Sequence, residues 1–416
     1  MSVSLSTPIT LPCGQTLPNR IVKAAMSEGL SDARGRATPR LEALYRRWGA
    51  GRAGLLLSGN IQVDRDHLER PLNVVLEDES GLDALRPVVA AAKAGGARFW
   101  AQISHTGRQV SSHINPAPLS ASAVDLDVMR DAGFSFATPV AMTEVQIADA
   151  IARFARTAAL AREAGFDGVQ FHGAHGYLIA QFLSPRTNLR SDDWGGSLKN
   201  RARFLLETIA AVRAAVGPDF PIGLKLNASD FQKGGFTNAE CVEVVGWLND
   251  TSLDLLELSG GSLEQPKMMG LQFQEEGTDA RPESTQRREA FFLDFGAGVR
   301  AVAKMPLMVT GGFRTRQGME DALEAGELDL VGLGRPLIVD PDLPAKLIAG
   351  TTDEAPRPED TLELLHMMPW LNIQLERMGD GLEPDPALPG AETAEHFVAL
   401  ETANMEALLG ERFADV

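Results

Sequence analysis

Residues 143–171 read TEVQIADAIARFARTAALAREAGFDGVQF, and the reading of this stretch decides the fold. Thr143, with Gln146 three residues on, has the pattern of a capping box, in which each side chain satisfies a free backbone N–H of the other residue. Ile147, Ile151, Phe154, Ala158 and Ala161 then recur at helical spacing and give one apolar face. Gly165 suits the left-handed residue that commonly ends a helix. An apolar run holding Val169 and Phe171 follows almost at once. A helix that delivers the chain directly into a buried strand is the repeating half of a parallel α/β fold.

Working outward, runs of the same kind lie near residues 21–24, 54–58, 98–103, 168–171, 222–226, 255–258, 307–309 and 330–333. Most are continuous apolar runs, as strands covered on both faces require. A second long helix is predicted over about 198–216, ending before Gly217-Pro218. Eight strand–helix units favour a closed (β/α)8 TIM barrel over an open sheet. Residues 104–140, rich in Ser, Pro and His, form a connection too long to be idle and are expected to be a lid-like insertion after the third strand. The barrel is assigned to residues 1–350 and an acidic helical extension to 351–416. There Pro369 should break or kink the first helix, and Pro384, Pro386 and Pro389 precede a last helix around 391–409.

Of the net charge of −17, residues 351–416 carry −12, from fifteen acidic residues against three arginines. The remaining −5 offers no basic stripe for nucleic acid. The acidic tail reads as a solvated surface. The N-terminus has neither a basic n-region nor an apolar core, and no apolar run could span a bilayer, so neither secretion nor a membrane is expected and the cytoplasm is the default. Cys13 and Cys241 supply neither a disulfide framework nor a metal-spaced cluster. Gly49, Gly51 and Gly54 match a dinucleotide fingerprint, but a helix precedes them and a strand follows. That order is the reverse of what pyrophosphate binding needs, so they read as a helix-to-strand turn.

The informative cluster is Phe171-His172-Gly-Ala-His175-Gly-Tyr177, at the C-terminal end of the fourth strand, where barrels carry their active sites. Two histidines three apart could bind metal, yet no third ligand stands nearby in sequence. A pair of imidazole N–H groups can also polarise a carbonyl oxygen, and a nearby phenol can donate a proton. Gly311-Gly312 after the seventh strand and Gly334-Arg335 after the eighth stand where barrels commonly bind phosphate.

Together with Gln181-Phe-Leu-Ser-Pro185, Asn188, Arg190, Asp192, Gly195-Gly-Ser197, Asn200-Arg201, Pro18-Asn-Arg-Ile21 and Gln102, this cluster resembles the Old Yellow Enzyme family over roughly residues 5–340. The resemblance implies an FMN-dependent, NAD(P)H-consuming ene-reductase, reducing the C=C bond of α,β-unsaturated carbonyl compounds in a ping-pong cycle through flavin N5. It implies that Ala24, Ala25, Met26 and Ser27 pass under the flavin, and that Asn60 and Gln102 meet its polar edge. Lys225 would lie near N1, and Gly311, Gly312, Gly334 and Arg335 would hold the phosphate. His172 and His175 would bind the substrate oxygen, with Tyr177 as proton donor.

Ser27 stands where many barrel-only members have cysteine, Lys225 where arginine is common, and Trp194 where tyrosine is frequent. Two cysteines cannot hold the four-cysteine iron–sulfur cluster of the larger members. A homo-oligomer is compatible with all of this. Two rival readings stand beside it. One is a flavin reductase acting on quinones, nitro compounds or oxygen. The other is a cofactor-free phosphate-binding aldolase or isomerase using Lys225 or Glu257.

Overall fold

The computed structural model describes residues 3–126, 128, 135–265 and 293–414. Eight parallel strands form the ring: β1 (Ile21–Lys23), β2 (Leu55–Gln62), β3 (Arg98–Ser104), β4 (Gly168–Gly173), β5 (Ile222–Asn227), β6 (Leu255–Ser259), β7 (Leu307–Thr310) and β8 (Leu330–Leu333). Each pairs with the next, and β8 pairs back onto β1 (Val331 with Ile21, Leu333 with Lys23), which closes a (β/α)8 barrel. Helices α1 (Pro39–Ala50), α2 (Leu82–Lys93), α3 (Glu144–Ala164), α4 (Leu198–Val216), α5 (Asn238–Leu248), α6 (Leu293–Val302), α7 (Arg316–Glu324) and α8 (Leu343–Ala349) follow the strands in turn. The capping box at Thr143 and Gln146 is formed, and Gly165 closes α3 at φ 98°.

Alternation along the strands sorts their side chains. Ile21, Leu56, Phe99, Val169, Leu224, Leu256, Val309 and Val331 join the main core with the helices. The residues between them turn inward. Val22, Leu55, Leu57, Trp100, Leu255, Met308 and Leu330 fill the lower barrel with a separate apolar cluster. Trp100 needs glycine on its neighbours: a Cβ at Gly168 would come within 2.7 Å of the indole, and one at Gly223 within 3.0 Å. One layer higher the inward residues are polar, namely Gln102, Gln170, Lys225, Glu257 and Thr310. One irregularity matters here. Two residues of β2, Ser58 and Gly59, oppose one of β3, because Leu57 pairs with Trp100 and Asn60 with Gln102. This bulge returns Asn60 to the inward side.

The reversed glycine motif is a helix-to-strand turn built for close packing. A Cβ at Gly51 would meet the Pro341 carbonyl at 1.9 Å, and one at Gly54 the Asn19 carbonyl at 2.6 Å.

Two expectations are corrected in the tail. Helix α9 (Leu364–Gly379) continues through Pro369 without a break. The proline leaves only the carbonyl of residue 365 without its helical partner, and Leu365 is 83% exposed, so water can serve it. Nor is the acid of the tail merely solvated. Arg40 pairs with Glu376 and Asp380 (both 2.6 Å), Arg47 with Glu383 (2.8 Å), Arg70 with Glu401 (2.6 Å), and Arg34 with Glu411. Buried Trp370, Leu371 and Leu375 seat α9 on the barrel. Helix α10 (Gly390–Ala414) lays Leu408 beside Leu68, Val110 and Ile114, in the loops above β2 and β3.

Candidate active site

The residues expected to meet substrate, flavin and phosphate lie toward the C-terminal ends of the strands, at the mouth of the ring. His172 ends β4 on its inward side, and His175 and Tyr177 follow before a short helix, Leu178–Leu183. The rings of His172 and His175 meet edge to face at 4.9 Å between centroids, those of His172 and Tyr177 at 4.6 Å. His175 has φ 61°, a left-handed backbone that a non-glycine residue adopts only when its surroundings enforce it. They do so at both ends: the His175 N–H donates to Asn227 Oδ1 (3.1 Å) and its carbonyl accepts from Gln109 Nε2 (2.9 Å). Its Nε2 lies 2.7 Å from Ser259 Oγ.

Burial, and then the Lys225 charge, hold both imidazoles well below their ordinary pKa. They are therefore neutral at pH 7. His172 Nδ1 accepts the Ala174 N–H (3.3 Å), which leaves the ring proton on Nε2 as a free donor. Tyr177 is pushed the other way, its phenol held protonated by burial and then by the Glu69 carboxylate beside it.

Inside the ring a polar chain links the strands. Gln102 Nε2 donates to Gln170 Oε1 (2.7 Å) and Gln170 Nε2 to Glu257 Oε2 (2.8 Å). Glu257 Oε1 takes Thr310 Oγ1 (2.7 Å) and Lys225 Nζ (3.1 Å). Glu257, fully buried, thus fixes the Lys225 ammonium toward the mouth.

Much of the signature is framework. Gln181 donates to the Thr106 and Gly176 carbonyls and accepts from Ser120. Arg190 ties the Ala121 and Met142 carbonyls to its pair with Asp192, and Arg108 holds the Val124 and Asp125 carbonyls. These bonds fasten the described part of the connection after β3 across the mouth.

Sequence reasoning missed two groups. Glu69, in the loop after β2, accepts from Asn60 Nδ2 (2.6 Å) and from Ser27 Oγ. No spacing marks it, because Ser27 and the Tyr177 phenol beside it come from the segments after β1 and β4. The second group is Asp64, His67 and His105, whose ligand atoms lie within 4.8 Å of one another. Its hydrogen bonds argue against a metal. His67 Nε2 accepts the Leu119 N–H (2.9 Å) and His105 Nδ1 the Gly107 N–H (3.0 Å). Each ring proton is thereby sent to the nitrogen facing Asp64, whereas a metal-bound histidine donates from its remote nitrogen. The carboxylate, held below its usual range despite burial, mainly by its hydrogen bond to His67, is the acceptor that braces two mouth loops.

A family model described as the NADH:flavin oxidoreductase / NADH oxidase family matches residues 4–354. The chain is 38% identical over 385 residues to the NADH-dependent flavin oxidoreductase nadA of Aspergillus parasiticus, covering 89% of this chain and 84% of that protein. It is 38% identical over 390 residues to the NADH-dependent flavin oxidoreductase iliE of a Neonectria species, covering 88% of this chain but only 51% of that one. An old yellow enzyme homologue from Zymomonas mobilis superposes with a TM-score of 0.71 at 25% identity, over 86% of this chain and 95% of that one. These likenesses set aside the cofactor-free reading of the barrel.

The mouth fits a flavin phosphate. Gly311 and Gly312 stand at φ 103° and 91°, conformations that open backbone N–H groups to an anion. The half-buried Arg335 guanidinium meets Met367 Sδ at 3.3 Å and has no carboxylate within ion-pair distance among the described residues. On β2, Asn60 Oδ1 is buried without a hydrogen-bond partner among the described residues, an acceptor suited to a heterocycle's N–H.

Proposed function

Because this chain belongs to the NADH:flavin oxidoreductase / NADH oxidase family, the family of Old Yellow Enzyme, we propose that it uses FMN and NAD(P)H to reduce the activated C=C bond of α,β-unsaturated carbonyl compounds. The observation that carries this reading is the convergence of two neutral imidazoles and a protonated phenol at the end of β4. FMN, held by the residues at the mouth, would supply the hydride.

The protein's own residues do the rest. His172 Nε2–H, with His175 beside it, binds the carbonyl oxygen and stabilises the charge that develops there, an effect worth about 10²–10³ in rate per donor. Neutral imidazoles serve this purpose across physiological pH because neither titrates there. Tyr177 keeps its proton until the α-carbon becomes basic enough to take it. Lys225, fixed by Glu257, would present a cation to the flavin edge and favour its reduced form. The connection after β3 narrows access to water.

The test is anaerobic turnover of cyclohexenone by wild type and by Tyr177→Phe, with p-benzoquinone, a nitroarene and oxygen as competing acceptors. Loss of enone reduction in the variant supports the reading. Undiminished enone reduction in the variant, or a wild type that reduces the other acceptors and leaves cyclohexenone untouched, overturns it.

A further inference from the structure

We propose that Glu69 sets the charge of the substrate this site accepts, favouring molecules that bring a positive group beside Tyr177 and disfavouring anions. The inference rests on the reading of Tyr177 and the two histidines as the substrate end of the mouth. It goes beyond that reading in giving the substrate a charge.

Glu69 is held in place from its own loop, where the N–H groups of Glu69 and Arg70 both donate to Asn73 Oδ1, at 2.9 and 3.0 Å. Its carboxylate accepts from Ser27 Oγ and from Asn60 Nδ2 at 2.6 Å, and it stands beside the Tyr177 phenol. Both donors are neutral. They disperse the charge of the carboxylate without cancelling it.

No cation cancels it either. Among the described residues none forms an ion pair with Glu69. The adjacent Arg70 turns away to Glu401 (2.6 Å) and Asn372, and its guanidinium lies 5.4 Å from the Phe397 ring. Lys225 is committed to Glu257, and the two histidines are neutral. The chamber therefore carries one uncancelled negative charge, placed beside the proton donor Tyr177. A unit charge about 5 Å away, across an effective dielectric of about 20, shifts affinity by roughly a hundredfold, and solvent at this partly exposed residue reduces that to roughly tenfold.

The experiment uses the flavin-loaded full chain and three phenols of similar shape as non-reacting ligands, with binding followed by calorimetry. They are 4-(trimethylammonio)phenol, 4-tert-butylphenol and 4-hydroxybenzoate. Wild type should bind the cation about tenfold more tightly than the neutral phenol, and the anion about tenfold more weakly. Glu69→Gln should collapse both ratios towards one.

A salt titration of wild type alone tests the same claim without relying on the variant's folding. Cation affinity should fall with ionic strength while affinity for the neutral phenol holds. Equal affinities in wild type, or ratios that survive Glu69→Gln, overturn the proposal. The two readings also fail separately. A protein that prefers the cation yet reduces no enone defeats the proposed function alone, and one that reduces cyclohexenone without charge preference defeats only the role of Glu69.

Discussion

A single residue along the same strand separates Trp100 from Gln102 on β3, and Leu255 from Glu257 on β6. The lower of each pair belongs to an apolar plug, the upper to a hydrogen-bonded chain that ends at Lys225. The backbone treats both layers alike. What differs is where the layer lies along the ring. Below, filling space is the whole task, and glycines on β4 and β5 make way for the indole of β3. Above, polar groups must be buried without loss, and from Gln102 to Lys225 each is answered by another polar group. The lower layer should therefore answer to stability measurements and the upper one to activity.

The sharpest test of that division is Tyr177→Phe, which removes one hydroxyl. Enone reduction should fall by about 10²–10⁴, with the unfolding midpoint unchanged. Trp100→Ala attacks the plug instead. It should cost about 3–5 kcal/mol in denaturant unfolding, while the activity of the molecules that remain folded stays close to normal. Arg335→Met should weaken FMN binding by roughly ten- to a hundredfold, read as flavin released on dilution, because a charge-assisted phosphate contact is worth about 1.5–3 kcal/mol.

The smallest effect concerns Lys23, which faces out of the ring, buried between β1 and α1. Its ammonium donates to the Leu57 carbonyl (2.6 Å) and sits 4.2 Å over the Trp48 ring, and burial brings its pKa down to about 7. Between pH 7 and about 10.4 the unfolded chain holds this proton and the folded one does not, so stability should rise with pH through that window. Below pH 7 both states hold it and the cost is fully present. Lys23→Met should therefore raise Tm at pH 6 by roughly 2–4 °C and lose that advantage toward pH 10. A gain independent of pH would mean that packing, and not the charge, is responsible.

The barrel was legible because strands covered on both sides must be apolar along their length, and because caps such as Thr143 and Gly165 act locally. The histidines and Tyr177 were legible for a related reason, since six consecutive positions place them at one strand end. Glu69 was not. It becomes part of the mouth only when the loop after β2 meets the segments that hold residues 27 and 177, contacts that depend on the pairing of β1 to β4. The braced Asp64 was hidden likewise, because His105 stands forty-one positions away and its tautomer is set by a backbone amide. The tail misled in the opposite sense. Counting its acids suggested solvent, whereas five of them pair with arginines scattered from 34 to 70, which no local count can match.

The surplus residue in β2 has a consequence for its neighbour. Freed from the regular ladder, the Gly59 N–H points at Glu28 Oε1 (2.8 Å) and the Tyr45 hydroxyl (3.0 Å), while Ser58 Oγ takes over the N–H of Gln102 (2.9 Å). Glu28 follows Ser27 directly, so slack in one strand becomes the staple that sets the distance between Ser27 and Asn60. A chain shorter by one residue here would still turn Asn60 inward, yet the segment after β1 would lose its anchor and the two sides of the mouth could drift apart.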